Sequence, residues 1–413
     1  MNDEIKNSIG RLKRNPLFQM SLGSKELFHS NIIAWLMESN IHIAEIIFQH
    51  WGLLTKEQKL VSIKIEREKY YIDLLIDIKL NDSNEMLVVI ENKLKSIPNK
   101  EQLDKYYESI NKKKVYAGKE IQFILLTLVQ PKFNVKPDKW NIKNYSTLSN
   151  ALIQAKNLGS TEIDFFSINH FLKAYKSFID TLVLMNNAVL KTRHYDYYSK
   201  NHLVMNDLRT IKLHDIFLKI AHHKISEKVI SKLKVYPQLR CTSLNESESE
   251  FDFSVYSGFS NSSGLTGLRI LIYKNKKIKL FIGVQLQAKQ FRYYTEVISS
   301  DGSIAETKSH INFSKDLEVK NLWFLKTNKI KSNLSIEKDR NGNEKRGKGI
   351  GRSKSGHTFC EYSKGAFLYR YDVLDDQNLI SKIEDSFVKA TAYILNNKDQ
   401  ILQVAKINFH SNI

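Results

Sequence analysis

Apolar positions recur at helical spacing over about 25–39, where Leu27, Phe28, Ile32, Trp35 and Leu36 fall on one side. Ser24 stands where an N-cap belongs, and Glu26 sits in the first turn, where a helix N-terminus favours an acid. A basic lead-in over 1–20 precedes this helix, and a second helical stretch over 41–51 follows it. The period then changes. Val61, Ile63 and Ile65 alternate over 60–68, and 71–80 and 86–94 predict two more strands around the turn-rich Asn81-Asp82-Ser83-Asn84. Helical spacing returns over 100–112, and 121–128 is apolar on both faces, as a sheet-interior strand requires. Helices are expected over 146–157 and 168–190. This order predicts an α/β domain with a mixed sheet flanked by helices over residues 1–195.

A Tyr/His-rich stretch over 193–202 marks the expected boundary, and 203–413 the expected second domain. There the pattern predicts helix over 203–234, strands over 252–256, 267–274 and 278–288, and helix over 382–396, an α+β arrangement. Residues 338–356 are polar, Gly-rich and basic, and are expected to form a loop.

Composition narrows the class. With 21 Phe and 19 Tyr in 413 residues, the chain can bury real cores, so overall disorder is excluded. Two cysteines, Cys241 and Cys360, exclude a disulfide-stapled scaffold and a Cys-based zinc cluster. No apolar run approaches membrane-spanning length and no leader pattern opens the chain, so a cytoplasmic protein without a membrane partner is expected. The net charge of +19 is spread over both halves and favours a polyanionic partner, nucleic acid in particular. A Lys- and Asn-rich coding bias would also produce such a charge.

The chemistry concentrates in 70–107. Asp73 opens one apolar strand, and Val88-Val89-Ile90 lead into Glu91-Asn92-Lys93 at the end of the next. Glu91 and Lys93 share a face and Asn92 points away. A hairpin centred near residue 82 pairs Asp73 with Glu91 and Asp77 with Leu87. Partners across such a hairpin lie about 4.5–5.5 Å apart at Cβ. Two carboxylates so close repel unless a divalent cation lies between them, and Mg²⁺ (or Mn²⁺) takes such hard oxygen ligands. A cation there polarises a phosphoryl oxygen and activates water, while Lys93 orients the water or neutralises developing charge. The Asn92 carbonyl is a further candidate ligand. Asp77 shares the parity of Asp73 and would replace it if the register shifted. The bland alternative is a solvated hairpin face, against which stands the desolvation of Glu91 and Lys93 beside a buried-looking strand.

Asp73 with Glu91-x-Lys93 resembles the PD-(D/E)xK nuclease superfamily. KELFHSNIIAWLM around Glu26, IDLLI at 72–76, VVIENKLKS at 88–96 and EQLDKYY at 101–107 are similar to a bacterial family of largely uncharacterised or defence-associated members. The resemblance implies a restriction-endonuclease-like core, a mixed four-stranded sheet flanked by helices, and Mg²⁺-dependent phosphodiester hydrolysis. It implies that Asp73 and Glu91 hold metal, that Lys93 positions water, that Glu26 adds an acid, and that Gln102 supports the centre or the phosphate. Tyr106 lies one turn beyond Gln102 on the same helical face, where it packs or donates to a phosphate. Ile72 replaces the proline of the name-giving dipeptide.

Other signals are less specific. Lys345, Arg346, Lys348, Arg352 and Lys354 fit either nucleic-acid backbone contacts or a solvated loop, and KRGKGIGRSK lacks P-loop spacing. His29 and the later histidines read as structural, and Arg292, Tyr293 and Tyr294 as packing residues. The expectation is a metal-dependent nuclease, acting on DNA more than RNA, in a bacterial defence setting and compatible with a homo-oligomer. The alternative is a catalytically silent nucleic-acid-binding or assembly protein on the same fold.

Overall fold

The computed structural model describes residues 2–15, 17–18, 26–94, 96, 98–131, 139–155, 163–199, 202–236, 253–299, 307–324, 334–347, 359–362 and 366–409. Ser24, Lys348, Arg352 and Lys354 lie outside them. The chain forms two compact units, residues 1–191 with 203–217, and residues 192–202 with 218–413. This division is finer than the expected break between 195 and 203.

In the first unit the elements are α1 (Asn2–Arg14), α2 (Glu26–Ser39), α3 (Ile41–His50), β1 (Leu60–Arg67), β2 (Leu74–Leu80), β3 (Glu85–Lys93), α4 (Lys100–Asn111), β4 (Glu120–Thr127), β5 (Asn141–Asn144), α5 (Tyr145–Ala155), α6 (Ile163–Leu190) and α7 (Leu203–Thr210). The sheet runs β1-β2-β3-β4-β5, antiparallel through β3 and parallel beyond it. It therefore has five strands where four were expected. β5 is four residues of Asn-Ile-Lys-Asn, too short and too polar to show a period.

Alternation along β2, β3 and β4 separates two cores. Leu75, Leu87, Val89, Phe123 and Leu125 join Leu103, Tyr106 and Ile110 of α4 in one cluster with Trp140, whose indole N–H donates to the Leu103 carbonyl at 3.2 Å. Ile76, Val88, Ile90, Ile124 and Leu126 have the opposite parity and are likewise buried. Each face is thus covered, which explains why these strands read as continuous apolar runs. Helix α3 is tied to β1 by Glu45, which accepts from Lys59 Nζ at 2.8 Å and from the Leu60 backbone N–H at 3.3 Å.

The helix expected over 203–234 is two helices, α7 and α8 (His214–Leu233). Lys212 adopts φ 55°, and the Leu213 N–H turns back to the Leu208 carbonyl at 2.9 Å. That left-handed closure ends α7 and buries Leu213, which the apolar pattern cannot distinguish from continued helix.

The second unit contains β6 (Phe253–Ser260), β7 (Ser263–Lys274), β8 (Ile278–Gln287), β9 (Gln290–Ser299), α9 (Thr307–Val319), β10 (Arg346–Gly347), β11 (Cys360–Tyr362), β12 (Phe367–Val373), α10 (Ile380–Asn396) and α11 (Lys398–Phe409). Its antiparallel sheet has the order β10-β12-β9-β8-β7-β6, with β11 also on β12. Residues 288–294 do not simply extend β8: Ala288, at φ 49°, turns the chain so that Gln290 faces Gln287. One sheet face packs on helices through contacts such as Phe291 on Phe387 and Tyr273 on Phe409, at ring separations of 5.3 and 6.1 Å. Among the described residues, no helix is long and apolar enough to cross a membrane.

Asp372 in β12 is buried, and Arg346 Nε approaches its carboxylate only to 3.6 Å. Burial raises its pKa from 3.8 to about 6, the Arg346 charge working against the rise and Glu344 adding to it. A carboxyl whose folded pKa is raised favours the fold most below pH 4, and that contribution fades as pH climbs through about 6. Asp372→Asn is therefore expected to stabilise the protein at pH 8 by roughly 1–3 kcal/mol and to give no gain at pH 4. Urea unfolding at the two pH values checks this.

Candidate active site

The β2–β3 hairpin has the register that the turn at 81–84 implies: Leu74 pairs with Ile90, Asp77 with Leu87 and Lys79 with Glu85. β2 ends at Leu74, so the ladder does not reach Asp73. Ahead of it, Lys69–Tyr71 curl into a single 3₁₀ turn, with the left-handed region visited by Glu68, Tyr70 and Tyr71 at φ 52°, 57° and 66°. The Glu68 N–H closes the curl on the Asp73 carbonyl at 3.1 Å. Three non-glycine residues in this region store strain, which is common beside functional sites.

Asp73 replaces the missing ladder bond with its side chain. Its Oδ2 accepts from the Asn92 backbone N–H at 2.7 Å, fixing the carboxylate against the end of β3. Glu91 and Lys93, two residues apart on β3, project together, and Lys93 Nζ lies 2.7 Å from Glu91 Oε1. Their side chains are only 3% and 10% exposed. Burying an ion pair costs desolvation that a well-packed apolar pair would not, so such a pair at a strand end is a marker of function.

Asn92 turns to the other face. Its amide donates to Ser30 Oγ of α2 at 3.0 Å and accepts from the Tyr145 hydroxyl of α5 at 2.5 Å. These bonds clamp the end of β3 from behind and so fix the direction of its neighbours. Ser30 and Tyr145 escape sequence reasoning because their contact with Asn92 spans long separations in the chain, which no local pattern contains.

Gln102 and Tyr106 stand one turn apart on α4, with Gln102 Nε2 donating to the tyrosine oxygen at 2.9 Å. Burial raises the Tyr106 pKa above its usual 10.0, and the charges of Glu91 and Asp73 add to the rise against Gln102 and Lys93. The phenol is therefore kept protonated among the two acids and the amine. Asp73, Glu91, Lys93, Gln102 and Tyr106 share the α4 side of the sheet. Gln102 and Tyr106 also line a cleft of about 860 Å³ with Tyr70, Tyr71, Lys105 and Lys113. Tyr71 is 89% exposed there, and Lys113 Nζ lies 4.0 Å from the Tyr70 ring centroid.

Asp77 is occupied elsewhere. Lys119 Nζ binds both its oxygens at 2.7 and 2.8 Å and also reaches Glu85 at 3.0 Å. Glu26 is the first residue of α2, its side chain outside the described positions. Lys345 and Arg346, in the second unit, are engaged by Glu337 at 2.5 Å and Glu344 at 2.6 Å. Tyr293 and Tyr294 are buried in the core, and His29 is buried beside Tyr175 and Phe178.

Among the described residues, no group of three or more His, Cys, Asp or Glu could hold a metal ion. The Asp73–Glu91 donor set is purely oxygen and limited to two carboxylates. That chemistry fits a cation that keeps several waters, Mg²⁺ or Mn²⁺, and does not suit Zn²⁺.

The family model described as PD-(D/E)XK nuclease superfamily matches residues 14–177. No curated protein and no solved structure gives a significant match to the chain.

Proposed function

Starting from residues 14–177 as a PD-(D/E)XK nuclease superfamily segment, we propose that this chain is a divalent-metal-dependent nuclease that hydrolyses phosphodiester bonds of DNA, in a bacterial defence setting. The observation that carries the proposal is the convergence of Asp73, the buried Glu91–Lys93 pair and Tyr106 on one side of the sheet. Asp73, Glu91 and the Asn92 backbone carbonyl would hold Mg²⁺. When bound, the ion supplies Lewis-acid polarisation of a phosphoryl oxygen and lowers the pKa of water.

The protein's own groups act around that centre. Lys93, held by Glu91, carries a fixed positive charge where negative charge develops on phosphate, and an already oriented charge needs no reorganisation during the reaction. Its ammonium also orients water toward phosphorus. Tyr106, kept as a phenol, donates a hydrogen bond to a phosphate oxygen, and Gln102 fixes its direction. Glu26 is the proposed additional acid. The excess positive charge of the chain attracts the polyanion over a distance. Lys345, Arg346, Lys348, Arg352 and Lys354 are a secondary proposal for backbone contacts, and the ion pairs of the first two reduce their contribution.

Tyr71 is suited to stack on a base beside the scissile phosphate, because its ring is exposed and the curl at 69–71 limits its freedom. Tyr71→Ala is expected to weaken single-strand binding by about 1–3 kcal/mol with little change in melting temperature. Fluorescence anisotropy with a labelled oligonucleotide reads this, and equal affinity in both proteins would remove Tyr71 from the interface. The nuclease proposal itself is tested by incubating the protein with plasmid, linear duplex, single-stranded DNA and RNA, with Mg²⁺ or with chelator. Mg²⁺-dependent cleavage of DNA is expected; intact substrates throughout would favour the silent binding protein.

A further inference from the structure

The second unit carries a hollow that phosphodiester cleavage does not use. While one face of its sheet packs on helices, the register collects polar groups on the other. Gln285 lies opposite Arg292 and Gly267, and Gln287 opposite Leu265. An antiparallel sheet often leaves one face to water, and its polar groups are then exposed. Here they are withdrawn: Gln285 and Gln287 are each 8% exposed. Gly267 of β7 and Gly283 of β8 leave room that the rings of Tyr256 and Tyr294 cross. A cavity of about 610 Å³ opens over this face, within the range of small-molecule sites.

Its charge is unbalanced. Arg292 Nε and Nη2 donate to Gln290 Oε1 at 2.8 and 2.6 Å, and Nη1 donates to Gln285 Oε1 at 3.0 Å and to Gln287 Oε1. Among the described residues, no carboxylate pairs with this guanidinium, and burial lowers its pKa. Arg269 donates to Ser254 Oγ at 3.0 Å and meets Glu296 only at 3.5 Å. Among the described lining residues Glu296 is the one carboxylate, and burial raises its pKa against the Arg269 charge and hydrogen bond. A cation withdrawn from water against neutral acceptors alone is unfavourable until an anion joins it. The glutamines hold Arg292 in one orientation, ready for that anion.

The walls add a second requirement. Arg292 lies 4.6 Å from the Tyr369 ring centroid, and Phe367 and the 61%-exposed Tyr362 line the same cavity. Two guanidinium groups suit a phosphate, whereas aromatic walls with amides and hydroxyls suit a planar polar ring. We propose that this hollow binds a nucleotide, its phosphate between Arg269 and Arg292 and its base against Tyr362 and Tyr369. The nucleotide is either free or the end of a nucleic-acid strand.

The full chain is titrated calorimetrically in chelator, where no cleavage occurs. The probes are the four nucleoside monophosphates, inorganic phosphate and a short single-stranded oligodeoxynucleotide. Saturable binding of a monophosphate or of the oligonucleotide is expected, with affinity falling about tenfold or more in Arg292→Gln and in Arg269→Gln and with phosphate alone much weaker. Monophosphate binding that the arginine variants lose identifies a free ligand, and oligonucleotide binding that they weaken, without monophosphate binding, identifies a strand end. Thermal melting checks each variant, and Arg269→Gln decides if Arg292→Gln fails to fold. A Lys93 variant should keep the arginine-dependent binding of monophosphate at this hollow, so loss of nuclease activity and loss of this site are separable. Affinities unchanged in a folded arginine variant, or no binding of any nucleotide probe, would overturn the proposal.

Discussion

Lys93→Ala is expected to slow phosphodiester cleavage by about 10²–10³-fold or more, the range seen when one fixed stabilising donor is removed. The same change leaves Glu91 buried beside a truncated partner and should cost roughly 3 kcal/mol of stability. A typical domain survives that loss. Activity and stability then separate in the double variant Glu91→Leu/Lys93→Met. Replacing both charges with apolar groups removes the desolvation cost, so this protein should melt near or above the wild type while cleaving nothing. Calorimetric melting with a single-turnover cleavage assay measures both. A double variant that cleaves normally would reduce the pair to a structural ion bridge.

The second large effect is expected at Asp73. Asp73→Asn retains an oxygen that accepts from the Asn92 N–H but removes the negative charge. Stability should change by about 1 kcal/mol or less, whereas Mg²⁺-dependent cleavage should fall by about 10²-fold or more. Asp77→Asn, four residues on and within β2, is the matched control. Its carboxylate is half-exposed and held by Lys119, so cleavage should be retained at a stability cost of about 1 kcal/mol or less. The reverse pattern would move the centre to Asp77. Cleavage rates and urea midpoints of the two variants decide between them.

Much of this centre is legible in the chain because β-structure has a strict period. The turn at 81–84 fixes the hairpin register and alternation puts Glu91 and Lys93 on one face, whereas Asp73 stands just outside the paired residues. Helical spacing does the same for Gln102 and Tyr106. What alternation cannot express is an interruption. Nothing in Lys69-Tyr70-Tyr71 announces a left-handed curl, because tyrosine favours strands and the expected β2 accordingly begins too early. The substitution of a side-chain acceptor for a ladder bond at Asp73 follows from that curl and is equally hidden.

The second unit was less legible for a different reason. Arg292 stands beside Tyr293 and Tyr294, and as a tripeptide they look alike in amphipathic character. The strand sends Tyr293 into the helix-packed core and Arg292 to the other face, where Gln285 and Gln287 meet it only through cross-strand register. The polar hollow is a product of pairing between β8 and β9, and no local pattern in either strand contains it.

The central claim is that two carboxylates and one amine at the end of a hairpin cleave phosphodiesters around a divalent ion. Its most direct test is single-turnover hydrolysis of end-labelled DNA by the wild type and by the folded Glu91→Leu/Lys93→Met protein, each with Mg²⁺ and with chelator. Cleavage confined to wild type with Mg²⁺ is the expected result; equal rates in all four reactions would contradict it.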